Sequence, residues 1–159
     1  MKKVLRKIKK FFISENSIRN ISLISIFLYL FTIFIFKGYI ESWNLDKLVN
    51  GDLFNISGVL AGFIFTGLGF IVSSDSNFIK NIKITNNFDT IKSFYIYSIY
   101  YFIIVIVLYL IQPIVFSTFF SLQDFYKEIY LLLILQIFIT ALILFAISLY
   151  ILNITLSDN

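Results

Sequence analysis

Charged residues punctuate the chain at long intervals, and between them the sequence is almost unbroken hydrocarbon. Four charge-free stretches bear comparison with the roughly 20 apolar residues that cross a bilayer core about 30 Å thick. Arg19 to Lys37 encloses "NISLISIFLYLFTIFIF", about 17 residues and near the short limit for a span. Asp52 to Asp75 encloses the glycine-rich "GVLAGFIFTGLGFIVSS". Lys92 to Asp124 and Glu128 to Asp158 each enclose about 30 residues, enough for a tilted span with a turn or two beyond the lipid. The pattern predicts an all-α integral membrane protein with four transmembrane helices, at about 20–36, 53–74, 94–120 and 129–155. Ahead of them, "MKKVLRKIKKFF" sets Val4, Leu5, Ile8, Phe11 and Phe12 on one helical face and the basic residues on the other. That pattern predicts a basic amphipathic helix lying in the membrane interface over about residues 2–13.

Composition strengthens this reading: 59% of residues are hydrophobic, 14% are charged, and the mean hydropathy is +0.91, far above that of soluble domains. Cysteine and histidine are absent, which removes disulfides, thiolate nucleophiles, histidine bases, haem ligation and ordinary zinc sites. No paired acid and base and no metal set occurs within a span, so neither enzymatic activity nor a cofactor is expected. The abundance of isoleucine, phenylalanine, asparagine and lysine is that of an AT-rich genome and points to a bacterial or phage source. Loops are short and no internal repeat or linker is visible, so the chain reads as a single membrane domain.

Basic residues set the expected orientation, because they concentrate on the cytoplasmic side. Lys2, Lys3, Arg6, Lys7, Lys9, Lys10 and Arg19 precede the first span, and Lys80, Lys83 and Lys92, against Asp75 and Asp89, lie between the second and third. The loop after the first span balances Lys37 and Lys47 with Glu41, Asp46 and Asp52, and the loop after the third holds Lys127 alone. Both termini are therefore expected in the cytoplasm of a bacterial inner membrane. Tyr39, Trp43, Tyr126 and Tyr130 would mark the outer interface. The first span is read as retained, since "FTIFIFKGYI" lacks the small-residue end of a cleaved signal peptide.

Glycine is costly in a helix exposed to water, by roughly 1 kcal/mol against alanine, but in lipid small residues let helix backbones approach closely. At about 100° per residue, Gly58, Gly62, Thr66, Gly69 and Ser73 share an arc of roughly 80° along the second span. This stripe either seats the helix against another helix of the same chain or serves subunit assembly. Gly67 lies on the opposite face, where it marks a bend or a second close contact.

The polar residues expected at membrane depth are amides and hydroxyls. Gln112 precedes the only proline, Pro113, on the third span, and Gln136 and Thr140 lie one turn apart on the fourth. Gln112 and Gln136 are equidistant from Asp124, so an antiparallel hairpin would bring them to similar depth. They either pair with each other or, with Ser117, Thr118 and Thr140 nearby, line a constriction in an oligomer. Pro113 frees the carbonyl of Tyr109 and marks a candidate kink or gate. The absence of an ionisable residue at the midplane argues against coupled transport.

The basic residues of the amino-terminal segment are expected to bind anionic lipid. A second use is as a sensor for an anionic cytoplasmic regulator: a nucleotide, an oligonucleotide or an acidic protein.

A basic amphipathic start, four short-looped spans and the "AGFIFTGLGFIVSS" second span together resemble the small membrane subunits of bacterial anti-phage defence systems of Kiwa or Hailong type. The resemblance covers the layout and transfers no site residue. It implies a homo-oligomeric, tetrameric assembly that senses or damages the inner membrane under control of a cytoplasmic partner or ligand. Combined with the residues above, the expected function is a gated ion-conducting pore that depolarises the inner membrane. The alternative is a non-conducting binding protein, such as a bacteriocin-immunity or accessory subunit. A phage holin ranks below both, because holins usually carry their basic cluster at the carboxyl end, and here that end reads "ILNITLSDN".

Overall fold

The computed structural model describes residues 16–73, 88–118 and 124–157. All regular structure among them is helical: α1 (Ser17–Phe36), α2 (Gly51–Ser73), α3 (Phe88–Thr118) and α4 (Asp124–Ser157), with two short 3-10 turns, Ile40–Ser42 and Leu45–Lys47, joining α1 to α2. All four long helices are long and apolar enough to cross a membrane. At 1.5 Å per residue, α1 is about 30 Å long and matches the hydrocarbon core, whereas α3 and α4, at about 46 and 51 Å, extend into the headgroup zones or tilt. The predicted interfacial helix, with Lys2, Lys3, Arg6, Lys7, Lys9 and Lys10, lies outside the described residues. So do Lys80 and Lys83 of the second loop.

α4 is the central element. Of its most apolar window 39% is buried, against 6% for α1, 17% for α2 and 11% for α3. α3 packs along α4 most extensively, α2 packs on α3, and α1 rests more lightly on α4. One apolar cluster joins Ile21, Ile64, Phe94, Phe102, Ala141 and Leu144 from all four helices. A second, nearer the α1–α2 connection, joins Leu45, Val49 and Leu53 to Val105, Leu131 and Ile134. Burial of such side chains contributes little between helices already surrounded by lipid, so close contact and hydrogen bonds matter more. Ser98 Oγ donates to the Ala141 carbonyl at 2.9 Å, tying α3 to α4 in the buried interior.

α1 buries little, only Ser17 and Ile21, with Ile18, Tyr29 and Ile33 packing partly on the two clusters, so polar contacts contribute much of what fixes it. Tyr101 Oη on α3 donates to Ser22 Oγ at 2.7 Å. Ser25 Oγ meets Thr140 Oγ1 of α4 at 2.5 Å, and Tyr29 Oη donates to the Ile129 carbonyl of α4 at 3.2 Å. Ser22, Ser25 and Tyr29 follow the i, i+3, i+7 spacing of one helical face, which is why a helix with so little burial still has a fixed rotation.

The connection between α1 and α2 is folded onto the end of α4. Ile40, Leu45 and Val49 are buried, and Phe36 packs on Trp43 with ring centroids 5.3 Å apart. Asn44 takes the left-handed conformation (φ 49°), which its short polar side chain tolerates, and so turns one 3-10 segment into the next. Asn50 caps α2: its Oδ1 accepts the backbone N–H of Asp52 at 2.9 Å and of Leu53 at 3.4 Å. Asp52 in the first turn adds a favourable charge at the positive end of the helix.

Candidate functional site

The fully buried positions of α2 are Leu53, Ser57, Ile64 and Ile71, a face turned to α3. Gly58, Gly62, Thr66, Gly69 and Ser73 fall on the other side and are all exposed. No atom of another described element lies within 4 Å of the position a first side-chain carbon would take at Gly58, Gly62 or Gly69. The expectation that the stripe seats α2 within its own chain is therefore corrected: apolar side chains and Ser57 make that contact. Gly67, on the inward side, approaches a neighbouring helix, with Tyr95 Cε1 4.0 Å from its would-be Cβ. Periodicity separated the two faces, but only packing decides which one the bundle covers.

The stripe is the floor of a shallow groove. Val59, Phe63 and Phe70 project on one flank and Phe65 on the other, each well exposed. Thr66 Oγ1 donates to the Gly62 carbonyl at 2.9 Å and Ser73 Oγ to the Gly69 carbonyl at 2.7 Å. With both hydroxyl protons returned to the helix, the groove presents mainly methyl, Cα and aromatic surface. Such a surface suits another helix backbone at close range.

Gln136 and Thr140 lie at the contact of α4 with α1. Gln136 Nε2 donates to Ser25 Oγ at 3.1 Å, and Thr140 Oγ1 reaches the Gln136 carbonyl at 2.8 Å while also facing Ser25. Beside them is a hollow of about 180 Å³ bordered by Ile21, Leu28 and Ile143. Gln136 thus points away from the expected hairpin partner. Equal distance from a turn fixes depth, whereas the helical phase that decides facing is set by packing. Gln112 makes no such pair, and its Oε1 is buried without a hydrogen-bond partner. Ser117 and Thr118 are exposed near the end of α3, and Ser117 Oγ returns to the Ile114 carbonyl at 3.0 Å.

α3 continues through Pro113. Proline lacks the N–H that would reach the Tyr109 carbonyl. One residue earlier, the Leu108 carbonyl accepts Tyr130 Oη from α4 at 2.7 Å, so the loosened turn is tied to the central helix.

Glu128, which sequence reasoning placed at the edge of the fourth span, is the one buried charged residue among those described. Its Oε2 accepts the Leu45 backbone N–H at 2.9 Å. The only sequence signal was a carboxylate one turn inside the helix, just before its long apolar run. Lys127 beside it turns outward over the Phe116 ring, 5.6 Å from the centroid. Among the described residues no group of three histidine, cysteine or acidic side chains is placed to hold a metal.

These features define a multi-pass four-helix membrane protein with a small-residue face that no other described element covers. No protein-family model matches the chain, and neither a curated protein nor a solved structure is similar to it.

Proposed function

We propose that the protein is a homo-oligomeric, non-enzymatic membrane effector whose assembled form conducts ions and depolarises a bacterial inner membrane. Control falls to a cytoplasmic anionic ligand or protein acting on the basic amino-terminal segment, and both termini lie in the cytoplasm. The observation that carries the reading is the uncovered Gly58–Gly62–Thr66–Gly69–Ser73 groove. It is a helix-packing surface that the described residues leave uncovered. A protomer with four spans encloses little by itself, so an aqueous path belongs between protomers around a symmetry axis. The anti-phage role rests on the resemblance in layout, and a tetramer is the assembly it favours.

A second reading is a non-conducting subunit that docks a different membrane protein in the same groove. It is favoured by Gln136 and Thr140, whose Nε2 and Oγ1 are engaged with Ser25 between α1 and α4 and so are not offered to a pore.

The test is ion flux through liposomes reconstituted with the wild-type protein and with Gly62→Leu, with oligomeric state recorded on the same samples. Flux from a defined oligomer, lost together with assembly in the variant, supports the pore. Tight liposomes containing assembled wild-type protein, across a range of voltages and with a nucleotide or oligonucleotide added, favour the docking reading.

A further inference from the structure

At the end of the bundle where α1 and α3 begin, the described residues leave between the two helices a cleft of about 640 Å³, within the range of small-molecule sites. Its polar lining comes from Arg19 and Ser22 of α1 and from Asp89, Thr90, Ser93 and Tyr97 of α3, over a floor of Ile18 and Phe94. Ser22 is engaged, donating to the Ile18 carbonyl and accepting from Tyr101. Among the described residues, Arg19 and Asp89 form no ion pair with each other or with a third group.

Two features of this cleft select its occupant. The first is charge: Arg19 suits a phosphate, whereas Asp89 in the same cavity disfavours a purely anionic guest and suits an ammonium group. A group that carries both is complementary to the pair. The second is depth. α3 is about 46 Å long against a hydrocarbon core of about 30 Å, and the charged Asp89 and Lys92 of its opening turns favour placing that end, with Arg19 beside it, at the headgroup level. Toward the membrane centre, the helical line of Arg19 continues as exposed Leu23, Ile26 and Leu30, and that of Asp89 as exposed Tyr100 and Ile104. A headgroup in the cleft would have apolar lanes for its acyl chains directly beneath it.

We propose that this cleft binds the headgroup of a zwitterionic phospholipid with a primary amine, its phosphate at Arg19 and the Thr90 and Ser93 hydroxyls, its ammonium at Asp89. A quaternary amine lacks the N–H donors that Asp89 accepts and binds more weakly. The site is independent of the α2 groove and of whether the assembly conducts, and its test reads binding alone.

The full-length protein is reconstituted with phosphatidylethanolamine and phosphatidylglycerol in equal parts, re-extracted in mild detergent, and the retained lipid counted by native mass spectrometry. Phosphatidylethanolamine is expected to be retained with a roughly two- to fivefold preference, the size that a partly exposed ion pair supports. Asp89→Asn is expected to abolish the preference, Arg19→Gln to reduce retention of both lipids, and Lys92→Gln, outside the cleft, to leave the pattern unchanged. Unaltered preference in Asp89→Asn protein that elutes and melts like the wild type overturns the proposal. Displacement of the lipid by micromolar soluble phosphoethanolamine also overturns it and assigns the cleft to a free phosphate ester. Should either variant fail to fold, a photoreactive phosphatidylethanolamine headgroup probe on the wild-type protein decides: labelling of the 89–97 stretch supports the site, and labelling elsewhere removes it.

Discussion

Glu128 and Leu45 are 83 positions apart in the chain, yet the carboxylate of one accepts the backbone N–H of the other at 2.9 Å in the interior. This bond holds the α1–α2 connection against the start of α4. It also places a charge-assisted acceptor at the first residue of a 3-10 turn, where the backbone donor has no partner within its own element. Ile40 and Val49, before and after Leu45 in the same connection, are buried as well. Glu128→Ala is expected to destabilise the protein by about 1–3 kcal/mol, because a buried donor loses its acceptor. Glu128→Gln, which keeps a carbonyl oxygen in place, is expected to cost less. Unfolding in mild detergent measures the order of the two, and amide exchange at Leu45 reports whether the loss is local.

Ser25 and Gln136 supply a test of how α1 is held. In lipid, interhelical hydrogen bonds are worth about 0.6 kcal/mol on average and up to about 1.7. A double-mutant cycle on Ser25→Ala and Gln136→Leu is expected to give a favourable coupling energy within that range. A coupling indistinguishable from zero, with both single variants folded, would mean that packing rather than hydrogen bonding positions α1.

Gly62 and Gly67 separate assembly from folding, since they lie on opposite sides of one helix. Gly62→Leu projects away from the other described elements and is expected to leave protomer stability within about 0.5 kcal/mol of wild type while abolishing the proposed oligomer. Gly67→Leu drives a branched side chain toward Tyr95 and is expected to cost about 1–3 kcal/mol of protomer stability. Thermal unfolding paired with mass measurement in detergent distinguishes the two effects. The opposite pattern would place α2 the other way round.

Gln112 carries a buried oxygen without a partner, a cost of about 1–3 kcal/mol that an apolar residue of similar size avoids. Gln112→Leu is therefore expected to raise the melting temperature. A variant that melts lower would mean that the amide bonds a neighbouring protomer or bound water in the native assembly.

The number of spans, their approximate limits and the membrane setting were all legible in the chain, because a bilayer imposes one length and one polarity on anything that crosses it. The helices begin somewhat earlier than the charge-free stretches, at Gly51, Phe88 and Asp124, since charges at a helix end can sit in the headgroup zone without breaking the helix. Periodicity likewise divided α2 into a small-residue face and an opposite face carrying Gly67. What periodicity does not contain is the rotation of each helix against its neighbours. That depends on long-range contacts such as Tyr101 with Ser22, Ser25 with Gln136 and Glu128 with Leu45, each joining residues far apart in sequence. Tertiary structure alone therefore turned the glycine stripe outward, aimed Gln136 at α1 instead of Gln112, and brought Arg19 and Asp89 to one cleft. Depth in the membrane is a property of position along one helix, whereas facing is a property of how several helices meet.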